Sequence, residues 1–212
     1  MGLLEQLSKS LQDGDADQAA ALTQQAIGQK IAAKQILDQG LIAGMAVVGD
    51  KFKAHEIFLP DVLLAAKAMY AGLDLLKPLL AKSGIPTVGK VVVGTVQGDL
   101  HDIGKNLVAI MLKGAGLDVI DLGKDVAPEK FVAAAKEHNA QVIGMSALLT
   151  TTMPVMKQVV EQCRAAGLYG KVKIIVGGAP LSNEYAKEIG ADAYCFDGVN
   201  AVECVKKFVG AR

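Results

Sequence analysis

The sequence predicts two parts: an N-terminal four-helix bundle, then an α/β unit of flavodoxin-like (Rossmann-like) type with a five-stranded parallel sheet. Three observations carry this expectation. Residues 1 to about 82 show helical apolar spacing without strand-like alternation. From residue 89 on, short β-branched runs alternate with helical stretches, and no hairpin signal joins any two runs. Strands that are each followed by a helix build a parallel sheet covered on both faces. The 212 residues, 51% hydrophobic and 21% charged, suffice for a sizeable core.

In the first part, Gly14 stops one helix and Asp15 is placed as the N-cap of the next. Ile31, Ile36, Leu37, Leu41, Met45, Val48 and Phe52 read as one apolar stripe on a long helix. Pro60 suits a first helical turn, and Val62, Leu63, Ala66, Met69, Leu73 and Leu76 continue the period. Residues 82–89, KSGIPTVG, are the expected linker, which gives domains 1–85 and 89–212.

In the second part, strands are expected in KVVVGTV, LDVIDLG, QVIGMSA, KVKIIVGG and DAYCF. The helices that follow them are expected over 104–115, 128–139, about 153–166, 182–189 and 199–209. Residues 89–212 suit five strands better than a six-stranded dinucleotide fold.

Composition removes several classes of function. Twenty-two Lys+Arg balance 22 Asp+Glu, so no basic excess supports a nucleic-acid surface. No apolar run reaches the roughly 18 residues of a membrane span. The opening MGLLEQLSKSLQDGD is not a secretion signal. Cys163, Cys195 and Cys204 form no CxxC pair and suit a reducing compartment, so a cytoplasmic protein is expected.

Ligands of an open parallel sheet bind beyond the carboxyl ends of the strands, where the strand order reverses, here between strands one and three. The informative loops therefore follow Val96, Met145 and Val176. The first, Gln97 to Asn106, is not a phosphate cradle: Asp99 replaces the leading glycine, Asn106 replaces Ser/Thr, and Asp99 and Asp102 would face the anion. His101 stands two residues from Asp99, a carboxylate able to accept one ring N–H and so fix the tautomer. That suits a metal ligand or a general base. No second His or Cys lies in these loops to complete a zinc site. A metal held by His101 must therefore bring most of its ligands, as in a macrocycle needing one axial protein ligand. His55 and His138 are expected to face solvent. Gly98, Gly104, Gly177 and Gly178 allow close approach of something bulky, and Ser146, Thr150 and Thr152 offer hydroxyls. Taken alone, Gly177-Gly178 is an ordinary strand-end turn.

Asp99-x-His101-x-x-Gly104, Ser146-x-Leu148 and Gly177-Gly178 together resemble the cobalamin-binding signature DxHxxG…SxL…GG of methionine-synthase-like corrinoid modules. The segment MAVVGDKFKAHEIFLPDVLLAAKAM resembles the helical cap that precedes this module in corrinoid methyltransferases. Over nearly its whole length the chain is similar to the free-standing corrinoid proteins of methanogen and acetogen methyltransferase systems. The resemblance implies that His101 replaces the cofactor's own benzimidazole as lower axial ligand of cobalt. It implies that Asp99 bonds His101 and that Thr152 completes a proton relay, so that these three residues carry the chemistry. Gly98, Leu100, Asp102, Ile103 and Gly104 share that loop. Ser146, Leu148, Thr150, Gly177, Gly178 and Gly198 are implied around the cofactor and its displaced nucleotide tail. In the cap, Phe52 and Leu59 are implied over the upper cobalt face, with Asp38 near the upper ligand. Met45 is assigned there too, although Met45 and Val48 read equally well as bundle core.

The implied cofactor is cobalamin or another cobamide, methylcobalamin in the loaded state. Cobalt(I) would accept a methyl group from a substrate:corrinoid methyltransferase using methanol, a methylamine, a betaine or an aryl methyl ether. Methyl-cobalt(III) would pass it to a methylcorrinoid:tetrahydrofolate or coenzyme M methyltransferase. A reductive activase would rescue cobalt(II). His101 would leave cobalt(I) and bind back on methylation, with proton uptake on the relay favouring release. Gly84 and Gly89 would form a hinge that lets the cap move. A catalytic barrel needs about 250 residues, so the chain reads as a corrinoid subunit that is not catalytic alone. An adenosylcobalamin mutase subunit would not need residues 1–82, and a cobalamin-dependent sensor would need a DNA-binding segment. A metal-free regulatory domain leaves three registered motifs unexplained. Neither nucleic acid nor membrane is an expected partner.

Overall fold

A computed structural model describes residues 1–82 and 88–210. The chain divides into two compact units between residues 86 and 87, with Gly114–Gly116 grouped with the first. The expected hinge residue Gly84 lies outside the described residues. Gly89 is described and is buried at the start of the sheet.

The first unit is helical. Helix α1 (Leu3–Gln12) buries Leu7 and Leu11. Helix α2 (Ala16–Gly28) opens at Asp15, whose side chain accepts the N–H of Gln18 at 2.9 Å, the capping bond its position predicts. A third rod runs from α3 (Ala33–Gln35) through a π-helical segment (Ile36–Ile42) into α4 (Ala43–Lys53). Helix α5 (Leu59–Lys82) carries Pro60 in its first turn, where a missing N–H leaves no bond unmade. Helix α2 packs against α5, and α1 against α2 and the third rod.

Three details differ from the regular periodicity expected. Ile31 precedes the third rod, and the five-residue step from Ile36 to Leu41 is accommodated by the wider π turn, which keeps both residues fully buried. On α5, Leu63 is 46% exposed. The core face runs through Val62, Ala66, Met69 and Leu76, and Leu63 lies about 100° of helical rotation away from Val62.

The second unit alternates β1 (Lys90–Thr95), α6 (Ile103–Gly114), β2 (Asp118–Asp121), α7 (Pro128–Glu137), β3 (Val142–Ser146), α8 (Met153–Ala165), β4 (Lys173–Gly177), α9 (Asn183–Ile189), β5 (Ala193–Tyr194) and α10 (Gly198–Val209). The five strands are parallel in the order β2-β1-β3-β4-β5, the flavodoxin-like arrangement the alternation predicts. Val92, Ile143 and Ile174 on the three central strands are fully buried, as are Phe131 of α7 and Met156 of α8. Strands covered on both faces need apolar side chains at successive positions, which is why these segments read as continuous β-branched runs. Strand β5 is shorter than expected. Beyond Tyr194 the chain turns into α10, with the Asp197 side chain accepting the Asn200 N–H at 2.7 Å.

Register fixes where function can lie. Thr95 is paired with Ser146, and Ser146 with Gly177, so β1, β3 and β4 end in one row. The loops that leave this row share one edge of the sheet, on either side of the point where the strand order reverses.

Candidate functional site

The loop from Val96 to α6 holds one fully buried carboxylate, Asp99, beneath a half-exposed imidazole, His101. Asp99 Oδ1 lies 2.7 Å from His101 Nδ1 and accepts the His101 main-chain N–H at 3.0 Å. Its Oδ2 accepts the N–H groups of Leu148 and Leu149 at 2.7 and 3.2 Å and the Thr152 hydroxyl at 3.0 Å. Thr152 Oγ1 is also 2.9 Å from the carbonyl of Leu149. The loops after β1 and β3 thus meet on a single carboxylate.

Burial pushes the Asp99 carboxyl up, but the donors from Leu148, His101 and Thr152 outweigh it and hold the group well below the usual carboxylate range. An ionised carboxylate only accepts, so the proton of the shared bond sits on His101 Nδ1. Nε2 then carries the lone pair, and it has no hydrogen-bond partner among the described residues. The ring is a one-atom donor with a fixed tautomer.

Its surroundings are apolar and exposed. Leu100 is 63% and Ile103 73% exposed, and Leu148 and Leu149 are each about two-fifths exposed. Four large apolar side chains left in solvent around one imidazole mark a binding surface for a ligand with an extended apolar face. Gly104 is the second residue of α6, and a Cβ placed there would meet nothing within 4 Å, so this glycine borders open space. Asp102 is half-buried, and its carbonyl accepts the Asn106 N–H at the start of the helix.

The remaining expected residues fall at the same edge with differing surroundings. Ser146 is half-buried, and Thr150 is exposed. Gly98 has φ +83° and is exposed. Gly177 and Gly178 are small for the protein's own sake: a Cβ would lie 2.9 Å from the Cys195 carbonyl and 1.8 Å from the Ala147 carbonyl, and Gly178 has φ +137°. A Cβ at Gly198 would lie 2.5 Å from Met111 Sδ, part of a flexible side chain that can shift. Within the helical unit, Met45 and Val48 are buried in the core. Phe52 and Leu59 are half-buried, and Asp38 lies in the π-helical segment, paired with Lys34 at 2.6 Å. His55 is exposed in a left-handed turn after α4. His138 is half-buried at the end of α7, less open to solvent than its polar surroundings suggest.

Several residues at this edge were not legible as site residues. Thr95 Oγ1 donates to the His101 carbonyl at 2.9 Å. Lys105 is buried and pairs with both oxygens of Asp121 and with Asn106 Oδ1, each at 2.6 Å. Asp125 accepts the Gly98 N–H at 2.8 Å. Phe196, just beyond β5, is 66% exposed.

The donor set suits a metal that arrives with its own equatorial ligands. Among the described residues no group of three or more His, Cys, Asp or Glu side chains converges to hold a bare ion. One tautomer-locked imidazole amid exposed leucine and isoleucine fits a metal macrocycle with a single axial protein ligand.

Comparison with known proteins agrees with that chemistry. Residues 89–206 match the model of a B12 binding domain, and residues 3–77 match a second model with the same description. A corrinoid protein of Desulfitobacterium hafniense (strain Y51) is 45% identical over 213 residues, covering 99% of both chains. The dimethylamine corrinoid protein of Methanosarcina barkeri is 42% identical over 208 residues, covering 98% of this chain and 97% of its own. Among solved structures, the methanol:cobalamin methyltransferase complex of Methanosarcina barkeri aligns with a TM-score of 0.89 at 30% identity, over 99% of this chain and 80% of that one.

Proposed function

Because the chain belongs to the corrinoid protein family, with a B12 binding domain matched in each of its two parts, we propose that it is a methyl carrier with His101 as lower axial ligand of the bound corrinoid. The observation that carries this reading is the half-exposed His101 ring, its Nδ1 locked 2.7 Å from a buried carboxylate and its Nε2 left open among exposed apolar side chains. The bound corrinoid supplies a cobalt centre that accepts and releases methyl groups.

The chain's own residues do the rest. Asp99 holds the Nδ1 proton and the ring orientation, which strengthens Nε2 as a donor. A proton at Nε2 would occupy the same lone pair as the metal, so protonation and ligation exclude one another at that atom. The Asp99 carboxylate would offset the charge of a ring protonated at Nε2, and the Thr152 hydroxyl, 3.0 Å from Oδ2, extends the relay. Leu100, Ile103, Leu148 and Leu149 offer apolar contact and exclude water beside the ring.

The methyl donor is selected by a partner. Relatives named for trimethylamine and dimethylamine match over nearly the whole chain, as does the structure named for methanol. One carrier architecture thus accompanies several donors. In our reading a substrate:corrinoid methyltransferase loads the protein and a methylcorrinoid:tetrahydrofolate or coenzyme M methyltransferase unloads it. A reductive activase restores the active redox state, and the system works in the cytoplasm, where free thiols persist.

The test is reconstitution of the full chain with hydroxocobalamin, reduction, loading with methyl iodide and challenge with each class of acceptor methyltransferase. Retention of the cofactor through gel filtration and methyl discharge to tetrahydrofolate or coenzyme M are expected. A protein that holds cobalamin but discharges to neither acceptor contradicts the carrier role.

A further inference from the structure

Resting on the reading of His101 as lower ligand, we propose that Asp125, in the loop between β2 and α7, is a positioning residue that sets the height and aim of the His101 ring. Asp125 has φ +55°, a left-handed conformation that costs energy for any residue with a Cβ. It is exposed, so it contributes nothing to the core. What it does is tie the neighbouring loop twice. Its N–H donates to the Asp99 carbonyl at 3.1 Å, and its Oδ1 accepts the Gly98 N–H at 2.8 Å.

These ties complement those on the Asp99 side chain. Leu148, Leu149 and Thr152 fix the carboxylate. They do not fix the peptide planes at 98 and 99 that set how far His101 stands out from the sheet edge. The loop that carries Asp125 is itself anchored. Asp121 accepts the Gly123 N–H at 2.9 Å while paired with buried Lys105. The Gly123 carbonyl accepts the Thr95 N–H at 3.0 Å. Thr95 closes the circuit, since its hydroxyl bonds the His101 carbonyl. The β2–α7 loop is therefore a rigid template, and Asp125 is where it grips the ligand loop.

Three substitutions separate the carboxylate from the backbone. D125G keeps the left-handed turn and removes the acceptor. D125N keeps both, and D125A strains the turn as well. In the apo full chain, amide hydrogen exchange of His101, whose acceptor is Asp99 and not Asp125, is expected to speed about tenfold in D125G and to stay near wild type in D125N. In chain labelled with nitrogen-15 histidine and loaded with cobalamin in the cobalt(II) state, the ratio of histidine-ligated to unligated cobalt is expected to fall about tenfold in D125G. D125N should restore it, and D125A should fall at least as far as D125G. Wild-type exchange at His101 together with wild-type ligation in D125G overturns the proposal. H101A is the control for the underlying reading: if it leaves ligation unchanged, that reading fails whatever the Asp125 variants do.

Discussion

The fully buried Asp99 carboxylate lies 2.7 Å from Nδ1 of the half-exposed His101 ring. The pair spans the protein surface: one member is fixed from below by the loop after β3, and the other reaches into solvent. Two residues apart in sequence, they bind across the turn that leads into α6.

Asp99→Asn puts an amide NH2 against donors on one side: either Leu148, Leu149 and Thr152, which share Oδ2, or the His101 main-chain N–H, which donates to Oδ1. A loss of about 2–4 kcal/mol in denaturant unfolding at neutral pH is expected. Because the native carboxyl is held below its ordinary 3.8, its contribution is complete above that value and is lost as pH falls. Below about pH 5 the gap between wild type and D99N should narrow. A gap that widens below that pH contradicts the hydrogen-bond account.

Lys105→Met removes the cation from a buried pair while Asp121 remains partly solvated, its side chain 31% exposed. Partial hydration of the orphaned carboxylate moderates the penalty, so a loss of about 2 kcal/mol is expected. Urea midpoints for K105M, D121N and the double variant test it. Additive effects of the two single changes would mean that the pair does not act as a unit.

Gly178 and Gly104 should respond oppositely to alanine. Gly178→Ala drives a Cβ into the Ala147 carbonyl at a strained φ and is expected to cost at least about 3 kcal/mol. Gly104→Ala meets open space in the first turn of α6 and should leave the apo protein unchanged or stabilise it by up to about 1 kcal/mol. In the loaded protein the new methyl group intrudes on the proposed ligand space, so retention of cobalamin through gel filtration should weaken. Thermal unfolding of both apo variants, with that retention assay on G104A, separates a glycine kept for the fold from one kept for a ligand.

The thiols should also sort by burial. Burial pushes the Cys163 thiol up to about 11, and burial raises Cys195 as well, whereas Cys204 is half-exposed. Iodoacetamide at about pH 8 should modify Cys204 in the native protein and reach Cys163 and Cys195 only after unfolding. Mass spectrometry of the native and denatured reactions decides.

The sheet was legible because its strands are covered on both faces, so each apolar run announces itself without neighbours. The loop after β1 was legible for a different reason: Asp99 and His101 are close in sequence as well as in space. Asp125 was not, because it meets Gly98 from 27 positions away. Nothing local distinguishes an aspartate that grips another loop from one that ends a turn. The π-helical segment was not legible either, because Leu37 and Leu41 stand four apart as in an ordinary helix. Gly177 and Gly178 illustrate the reverse difficulty. Their smallness is equally consistent with a ligand slot and with backbone packing, and only the positions of the Ala147 and Cys195 carbonyls tell the two apart.

The most direct test of His101 as lower ligand is paramagnetic resonance of the full chain loaded with cobalamin and reduced to cobalt(II), in natural-abundance protein and in protein labelled with nitrogen-15 histidine. An axial nitrogen of natural abundance splits each cobalt line into a triplet, and a nitrogen-15 ligand gives a doublet. Conversion of the triplet to a doublet on labelling is the expected result. A triplet that persists in the labelled protein would mean that the cofactor's own base still holds the cobalt, and would contradict the assignment of His101.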